Sequence, residues 1–255
     1  MQTALLIFLL LPQLVDSTDQ VRQPSPETQE LTHEKRADIY MARKMYREAV
    51  DAYSKAIDEQ PRSARLYNKL GISFHHQMMF GEAKRYYERA SELDQKFAQA
   101  INNLGAVYYA EGRYKRAQKT YEKALKLTPN SASVYSNLGT AFFARNKFEK
   151  ASEAYLTALQ LDPNVFDHKG QTGTLLQERS VEDRVKYHYF MAEAYARSEM
   201  YDRALIYLRR AFEEGFSDRR KVLNEKAFEP LYGVAEFRLL VDPEGKYLAE
   251  QQASN

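Results

Sequence analysis

Through the middle of the chain, apolar and small residues recur on a helical period that restarts every 34 positions. With Ala98 as position 1, Ile101, Leu104, Gly105 and Tyr108 stand at positions 4, 7, 8 and 11, one face of a first helix. Tyr114 at position 17 precedes Ala117, Tyr121 and Ala124 at 20, 24 and 27, one face of a second helix. Pro129 at position 32 ends that helix, because proline has no amide hydrogen and clashes with the preceding turn.

The frame beginning at Ala132 repeats the pattern with Tyr135, Leu138, Gly139, Phe142, Phe148, Ala151, Tyr155, Ala158 and Pro163. The frame from Ala64 gives Tyr67, Leu70, Gly71, Phe74, Phe80, Ala83, Tyr87 and Ala90, with Gln95 in place of the proline. From Glu30 the first helix is looser, but Tyr40, Tyr46, Ala49, Tyr53, Ala56 and Pro61 keep register. After an interruption, a fifth copy from Val185 carries Met191, Ala192, Tyr195, Tyr201, Ala204, Leu208 and Ala211. Small residues at positions 8, 20 and 27 let two helix backbones approach, and large ones at 4, 7, 11, 17 and 24 fill the space toward the next pair. Enlarging Gly105 or Ala117 should cost on the order of 1–3 kcal/mol through overpacking. No single copy buries its own apolar faces, so the copies must stack.

This pattern resembles the tetratricopeptide repeat family, and the resemblance extends over most of residues 30–218. It implies an all-α fold, a right-handed α-solenoid of stacked antiparallel helix pairs. The predicted division is four repeats at 30–63, 64–97, 98–131 and 132–165, a connector at 166–184, a fifth repeat at 185–218 and a closing segment at 219–245. In the connector, Gly170, Thr172, Gly173 and Thr174 predict a turn or short hairpin, and Ser180 with Asp183 resembles a helix-capping box. The closing segment, with Phe228-Glu229-Pro230-Leu231 and Phe237-Arg238-Leu239-Leu240, resembles the ending of many bacterial family members. Val222, Leu223, Phe228, Leu231, Phe237 and Leu240 would cover the last repeat's apolar face. Residues 246–255 are expected to be a flexible tail.

The N-terminus reads differently. The apolar run Ala4–Leu11, then Pro12, with Val15 and Ser17 at the −3 and −1 positions of a cleavage before Thr18, predicts a signal peptide over 1–17. Its n-region has no Lys or Arg, and the run is far short of the roughly 20 residues that span a bilayer. Residues 18–29 form a polar, Pro-containing lead-in. The expected location is therefore secreted or periplasmic, with a cytoplasmic protein as the alternative.

Composition narrows the chemistry. Lys plus Arg number 37 and Asp plus Glu 35, a net charge of +2 that offers no bulk attraction to nucleic acid or an anionic membrane. Cysteine is absent, which removes disulfides, thiolate metal sites and thiol nucleophiles. Gly170 and Gly173 make no dinucleotide fingerprint, and no phosphate-cradling loop occurs. His33, His75, His76, His168 and His188 show no spacing that suits a metal; His75 and His76 are adjacent on a helix and diverge by roughly 100°. No catalytic constellation, cofactor site or metal site is predicted. Lys115, Arg116, Lys119, Lys123 and Lys126 form a stripe on a second helix, facing solvent on the convex side; it reads as a solvated face, with a local patch for an anionic partner as the alternative.

Function is then expected on the concave face lined by first helices, where an extended peptide or partner helix can lie. The predicted groove residues are Asn68, Lys69 and His75 of the second repeat, Asn102, Asn103 and Tyr109 of the third, and Asn137, Thr140 and Phe143 of the fourth. Asn103 and Asn137 occupy the same position in consecutive repeats, similar to the asparagine ladders of peptide-binding members, while Lys69 and Phe190 interrupt the ladder on either side. Tyr109 and Phe143, with His75, are expected to offer flat apolar contact area. The family's clamp for acidic C-terminal tails is not met, because Glu34 and Asp38 stand where Lys and Asn belong. The chain thus reads as a non-catalytic scaffold for a protein or peptide partner. The alternatives are an enzyme-accessory or chaperone-like subunit of a cell-envelope complex, or a cytosolic adaptor.

Overall fold

The structure, a computed structural model, describes residues 31–167 and 180–243. The expected signal peptide, the lead-in, the Gly/Thr turn of the connector and the tail lie outside the described residues. Every described element is helical. Four helix pairs come first: α1 (His33–Ala42) with α2 (Tyr46–Glu59), α3 (Ala64–His76) with α4 (Phe80–Leu93), α5 (Ala98–Ala110) with α6 (Tyr114–Leu127), and α7 (Ala132–Phe143) with α8 (Phe148–Leu161). A fifth pair is α9 (Val181–Arg197) with α10 (Tyr201–Glu213), followed by α11 (Arg219–Asn224), a 3-10 helix (Lys226–Leu231) and α12 (Ala235–Val241).

Each helix packs on its successor, and the pairs stack into a solenoid. The close approach within a pair is visible at the glycines. A Cβ at Gly71, Gly105 or Gly139 would stand 2.7, 2.5 or 2.6 Å from the ring of Tyr87, Tyr121 or Tyr155, the tyrosine of its own second helix. Those rings are almost wholly buried, so the absence of a side chain at position 8 sets the helix separation.

Every pair also turns the same way. Lys44, Met78, Gly112, Asn146 and Glu199 all stand at position 15 and adopt φ of 59, 58, 73, 56 and 58°. A left-handed residue closes the first helix in each case, although glycine fills the position only once. Side chains cap α3 and α9, where Ser63 Oγ accepts from Leu66 N–H and Ser180 Oγ from Asp183 N–H.

The apolar core is unequal along the stack. A large cluster runs continuously from Ile101 of α5 through Val241 of α12, while the N-terminal pair is held by a separate, smaller cluster around Ala37, Ala49, Tyr53, Leu66 and Leu70. At the far end, Phe216 stacks on Tyr189 at 4.9 Å, and Phe228 and Phe237 are fully buried, so α11, the 3-10 helix and α12 cover the last repeat. Arg203 ties the segment after α8 to α10 by donating to Pro163 O at 2.6 Å and to Asp167 at 2.6 Å.

Candidate functional site

Curvature decides which helices form the inner face. Among the odd-numbered helices α3 contacts α5 and α5 contacts α7, while α4 and α6 stand apart across an open groove. The first helices of the pairs therefore line the concave side.

On that face the asparagines are joined across repeats. Asn103 Nδ2 donates to Asn68 Oδ1 at 2.9 Å, and Asn137 Nδ2 donates to Asn102 Oδ1 at 3.0 Å. Both bonds link residues 35 apart, position 6 of one repeat to position 5 of the one before. Each bond uses one N–H and one carbonyl. The Oδ1 atoms of Asn103 and Asn137 and the amide group of Asn102 make no other hydrogen bond among the described residues. Asn68 is buried, and Asn102, Asn103 and Asn137 are half-buried. Thr140 closes onto its own helix, donating to Ser136 O at 3.0 Å, and lies 3.4 Å from the Tyr155 hydroxyl.

Lys69, which interrupts the asparagine series, makes the same cross-repeat contact in ionic form. Its Nζ lies 2.8 Å from Glu34 Oε1, again 35 residues earlier, and 2.7 Å from Asp38 Oδ1. Arg65 forms a two-pronged pair with Glu34, and Tyr53 donates to Asp38 at 2.5 Å. Burial alone would raise the Glu34 and Asp38 carboxyls, but hydrogen bonds and the charge of Lys69, with help from Arg65, outweigh it and hold both below the ordinary range. The Tyr53 phenol moves up through burial and its bond to Asp38. Sequence reading missed this network; the signal lay in the spacing, since Glu34 precedes Lys69 by the interval that separates Asn68 from Asn103.

The aromatic expectation needs correction. Tyr109 and Phe143 are 6% and 2% exposed, so neither offers a face to the groove. Tyr109 packs on Tyr114 at 5.1 Å, and Phe143 on Phe148 at 5.3 Å and on Tyr187 at 5.8 Å. His75 repeats the arrangement edge-on to Phe80 at 5.4 Å. In all three repeats position 12 is covered by the aromatic at position 17, because the tight turn brings the second helix back over the end of the first. Burial, and next the neighbouring His76, push the His75 imidazole below its ordinary value. The exposed part of the site is thus polar: Lys69, Asn102, Asn103, Asn137 and Thr140, with Arg65 at its N-terminal end.

At the other end the closing segment reaches back. Lys221 of α11 places its Nζ 4.6 Å from the Tyr189 ring centre and 5.3 Å from that of Phe190. Phe190 stacks on Phe148 at 5.2 Å. Glu193, hydrogen-bonded by Ser152 at 3.3 Å, has its carboxyl raised by burial and by nearby Glu225. Among the described residues no group of His, Asp and Glu is arranged to hold a metal ion, and no helix is long and apolar enough to cross a membrane.

A solenoid whose inner face is a row of polar side chains defines a helical-repeat interaction protein. The comparisons give its family. Tetratricopeptide repeat models match residues 37–77, 64–97 and 97–164. The chain belongs to the tetratricopeptide repeat family, whose fold is that of a protein–protein interaction scaffold. No curated protein sequence matches it significantly. Among solved structures it is similar to PilF of Pseudomonas aeruginosa, at 22% identity and a TM-score of 0.52, covering 88% of this chain and 96% of that one. It is also similar to MamA of Desulfovibrio magneticus RS-1, at 19% identity and a TM-score of 0.51, covering 73% and 94%. At these identities the likeness is one of fold.

Proposed function

We propose that the concave face grips an extended segment of a partner protein through its backbone, with Asn102, Asn103 and Asn137 as the principal contacts. The supporting observation is the pair of cross-repeat bonds, Asn103 to Asn68 and Asn137 to Asn102. Each bond fixes an amide in place and leaves the Oδ1 of Asn103 and Asn137 and the Nδ2 of Asn102, all on half-buried residues, for a partner's backbone. A side-chain amide held this way can accept from a peptide N–H or donate to a peptide carbonyl without first losing rotamer freedom. Lys69 and Arg65 are engaged by Glu34 and Asp38, so a partner's acidic terminus would have to displace an existing network to be recognised there. The protein is read as non-catalytic. Export rests on the apolar run at Ala4–Leu11 and the small residues before Thr18, and the mass of the mature protein's N-terminal peptide tests it.

The test is selection of binders from a displayed library of linear peptides against the full chain. Each selected peptide is then titrated against native protein and the Asn103→Ala/Asn137→Ala variant. At about 0.5–1.5 kcal/mol per lost hydrogen bond, the double variant should bind roughly 5- to 150-fold more weakly. Tyr109 and Phe143 are left intact, because truncating them would disturb packing and not the groove. Equal affinity for both proteins, with circular dichroism showing both folded, would overturn the reading.

A further inference from the structure

The outer face is carried by the even-numbered helices, and α6 differs from the rest. It presents Lys115, Arg116, Lys119, Lys123 and Lys126 against one acid, Glu122. Five cations against one carboxylate leave this helix with four net positive charges, twice the +2 of the entire chain. Even that carboxylate is engaged at the edge away from α4, where Gln118 donates to Glu122 at 2.6 Å and itself accepts from Arg145.

Between α6 and α4 lies a groove of about 620 Å³. Leu104 of α5 is the half-exposed part of its floor, with Ile101 and Tyr108 almost wholly buried beside it; Lys119 and Lys123 line one wall, and Glu88 and Glu92 line the other. The two walls carry opposite charge, yet they do not close on each other. Glu88 lies 3.8 Å from Lys84 and Glu92 lies 3.1 Å from Arg89, so α4 satisfies its acids within its own turns. Lys115, Lys119, Lys123 and Lys126 form no ion pair among the described residues. Arg116, Arg113 and Lys84 sit 5.2, 5.3 and 5.9 Å from the Tyr108 ring centre, with Arg113 also paired to Glu111 and Lys84 to Glu88. A helix that needed charge only for solubility would have no reason to combine one sign of charge with an open apolar-floored groove.

We propose that this outer groove is a second docking surface, which takes an acidic amphipathic segment of a partner protein. Its carboxylates would pair with Lys119 and Lys123, and its aliphatic side chains would rest on Leu104 beside Tyr108. Charge complementarity selects a protein segment over a polyanion. Glu88 and Glu92 line the opposite wall and are paired with Lys84 and Arg89, so that wall has no surplus positive charge for a ligand that is negative on every side, such as a nucleic acid. A flat bilayer surface cannot reach a floor set between two helices. The surface lies on the opposite side of the solenoid from the asparagine row, so the two can be tested independently.

The experiment is fluorescence anisotropy on the full chain with a fluorescein-labelled helical peptide that carries Glu along one face, Leu along the adjacent face and Gln elsewhere, at low and at physiological salt. Native protein should bind it, and Lys119→Glu/Lys123→Glu should weaken binding by about tenfold or more. Lys119→Gln/Lys123→Gln should fall between the two. Lys55→Glu, a reversal elsewhere on the outer face, and Asn103→Ala/Asn137→Ala should leave the affinity unchanged. The proposal is overturned if Lys119→Glu/Lys123→Glu binds like native protein or if Lys55→Glu weakens binding equally. It is also overturned if phosphatidylglycerol vesicles or a single-stranded oligonucleotide bind more tightly than the peptide through the same lysines.

Discussion

The contact between Gly105 and Tyr121 can be perturbed by a single methyl group. In Gly105→Ala the new Cβ would meet Tyr121 Cε1 at 2.5 Å and Cδ1 at 2.7 Å, inside any tolerable carbon–carbon distance. Tyr121 is 2% exposed and cannot swing into solvent, so the two helices must part or the ring must leave its rotamer. Overpacking of this kind costs about 1–3 kcal/mol, while alanine in place of glycine within a helix returns about 1 kcal/mol. The net expectation is a loss of up to about 2 kcal/mol, or several degrees in Tm for a chain of this size. Gly81→Ala serves as the control, since nothing lies within 4 Å of its Cβ, and it should stabilise by about 0.5–1 kcal/mol. The chain also supplies a compensated version of the contact, because the fifth repeat carries Ala192 with Leu208 at the same two positions, both fully buried. Gly105→Ala/Tyr121→Leu should therefore cost less than the sum of its single substitutions by about 1 kcal/mol or more. Urea unfolding followed by circular dichroism measures all four proteins. If Gly105→Ala raises the midpoint as Gly81→Ala does, or if the two positions prove additive, the close approach does not set the helix separation.

Three further outcomes follow from residues already described. Met78→Gly relieves a left-handed φ of 58° and removes an exposed methionine, and it should raise thermal stability by up to about 1 kcal/mol despite the greater freedom of the unfolded chain. Lys69→Met removes the cation that lowers both Glu34 and Asp38; it should cost about 1–3 kcal/mol at neutral pH and almost nothing near pH 2, where the carboxylates are protonated in any case. Burial lowers the imidazoles of His75 and His188, the latter against the opposing charge of Glu214, and His188 Nδ1 is buried without a hydrogen bond. As pH falls below about 6.5 the unfolded chain takes up protons first, so stability present above that value is lost toward pH 5, and a His75→Gln variant should show a shallower decline in urea midpoint.

Much of the fold was written in the sequence because stacking demands the same interface at every step. Gly71, Gly105 and Gly139 recur opposite Tyr87, Tyr121 and Tyr155 for a steric reason that any one repeat reveals. The site was less legible, for two physical reasons. Position 12 lies on the groove side of its helix by angle alone, but the returning helix covers it with the aromatic at position 17, so Tyr109 and Phe143 became core. The asparagine partners were hidden because the pairing runs between repeats with an offset of one residue, and a comparison of like positions passes over it. For the same reason Lys69 looked like a break in the series, when with Glu34 it makes the same connection in another chemistry.

The division of the core into a long C-terminal cluster, a short N-terminal one and a small one of Ala83, Tyr87 and Val107 between them has a mechanical meaning. From α5 to α12 the apolar contacts are continuous, and that length should behave as one stiff arm. The first pair adds to its small cluster an ionic latch of Glu34, Asp38, Arg65 and Lys69, fastened across the seam to α3. Salt and acid loosen such a latch and leave buried hydrocarbon untouched. The seating of the first pair on α3 should therefore weaken with ionic strength through the latch alone, while the buried contacts to Leu66 and Leu70 persist.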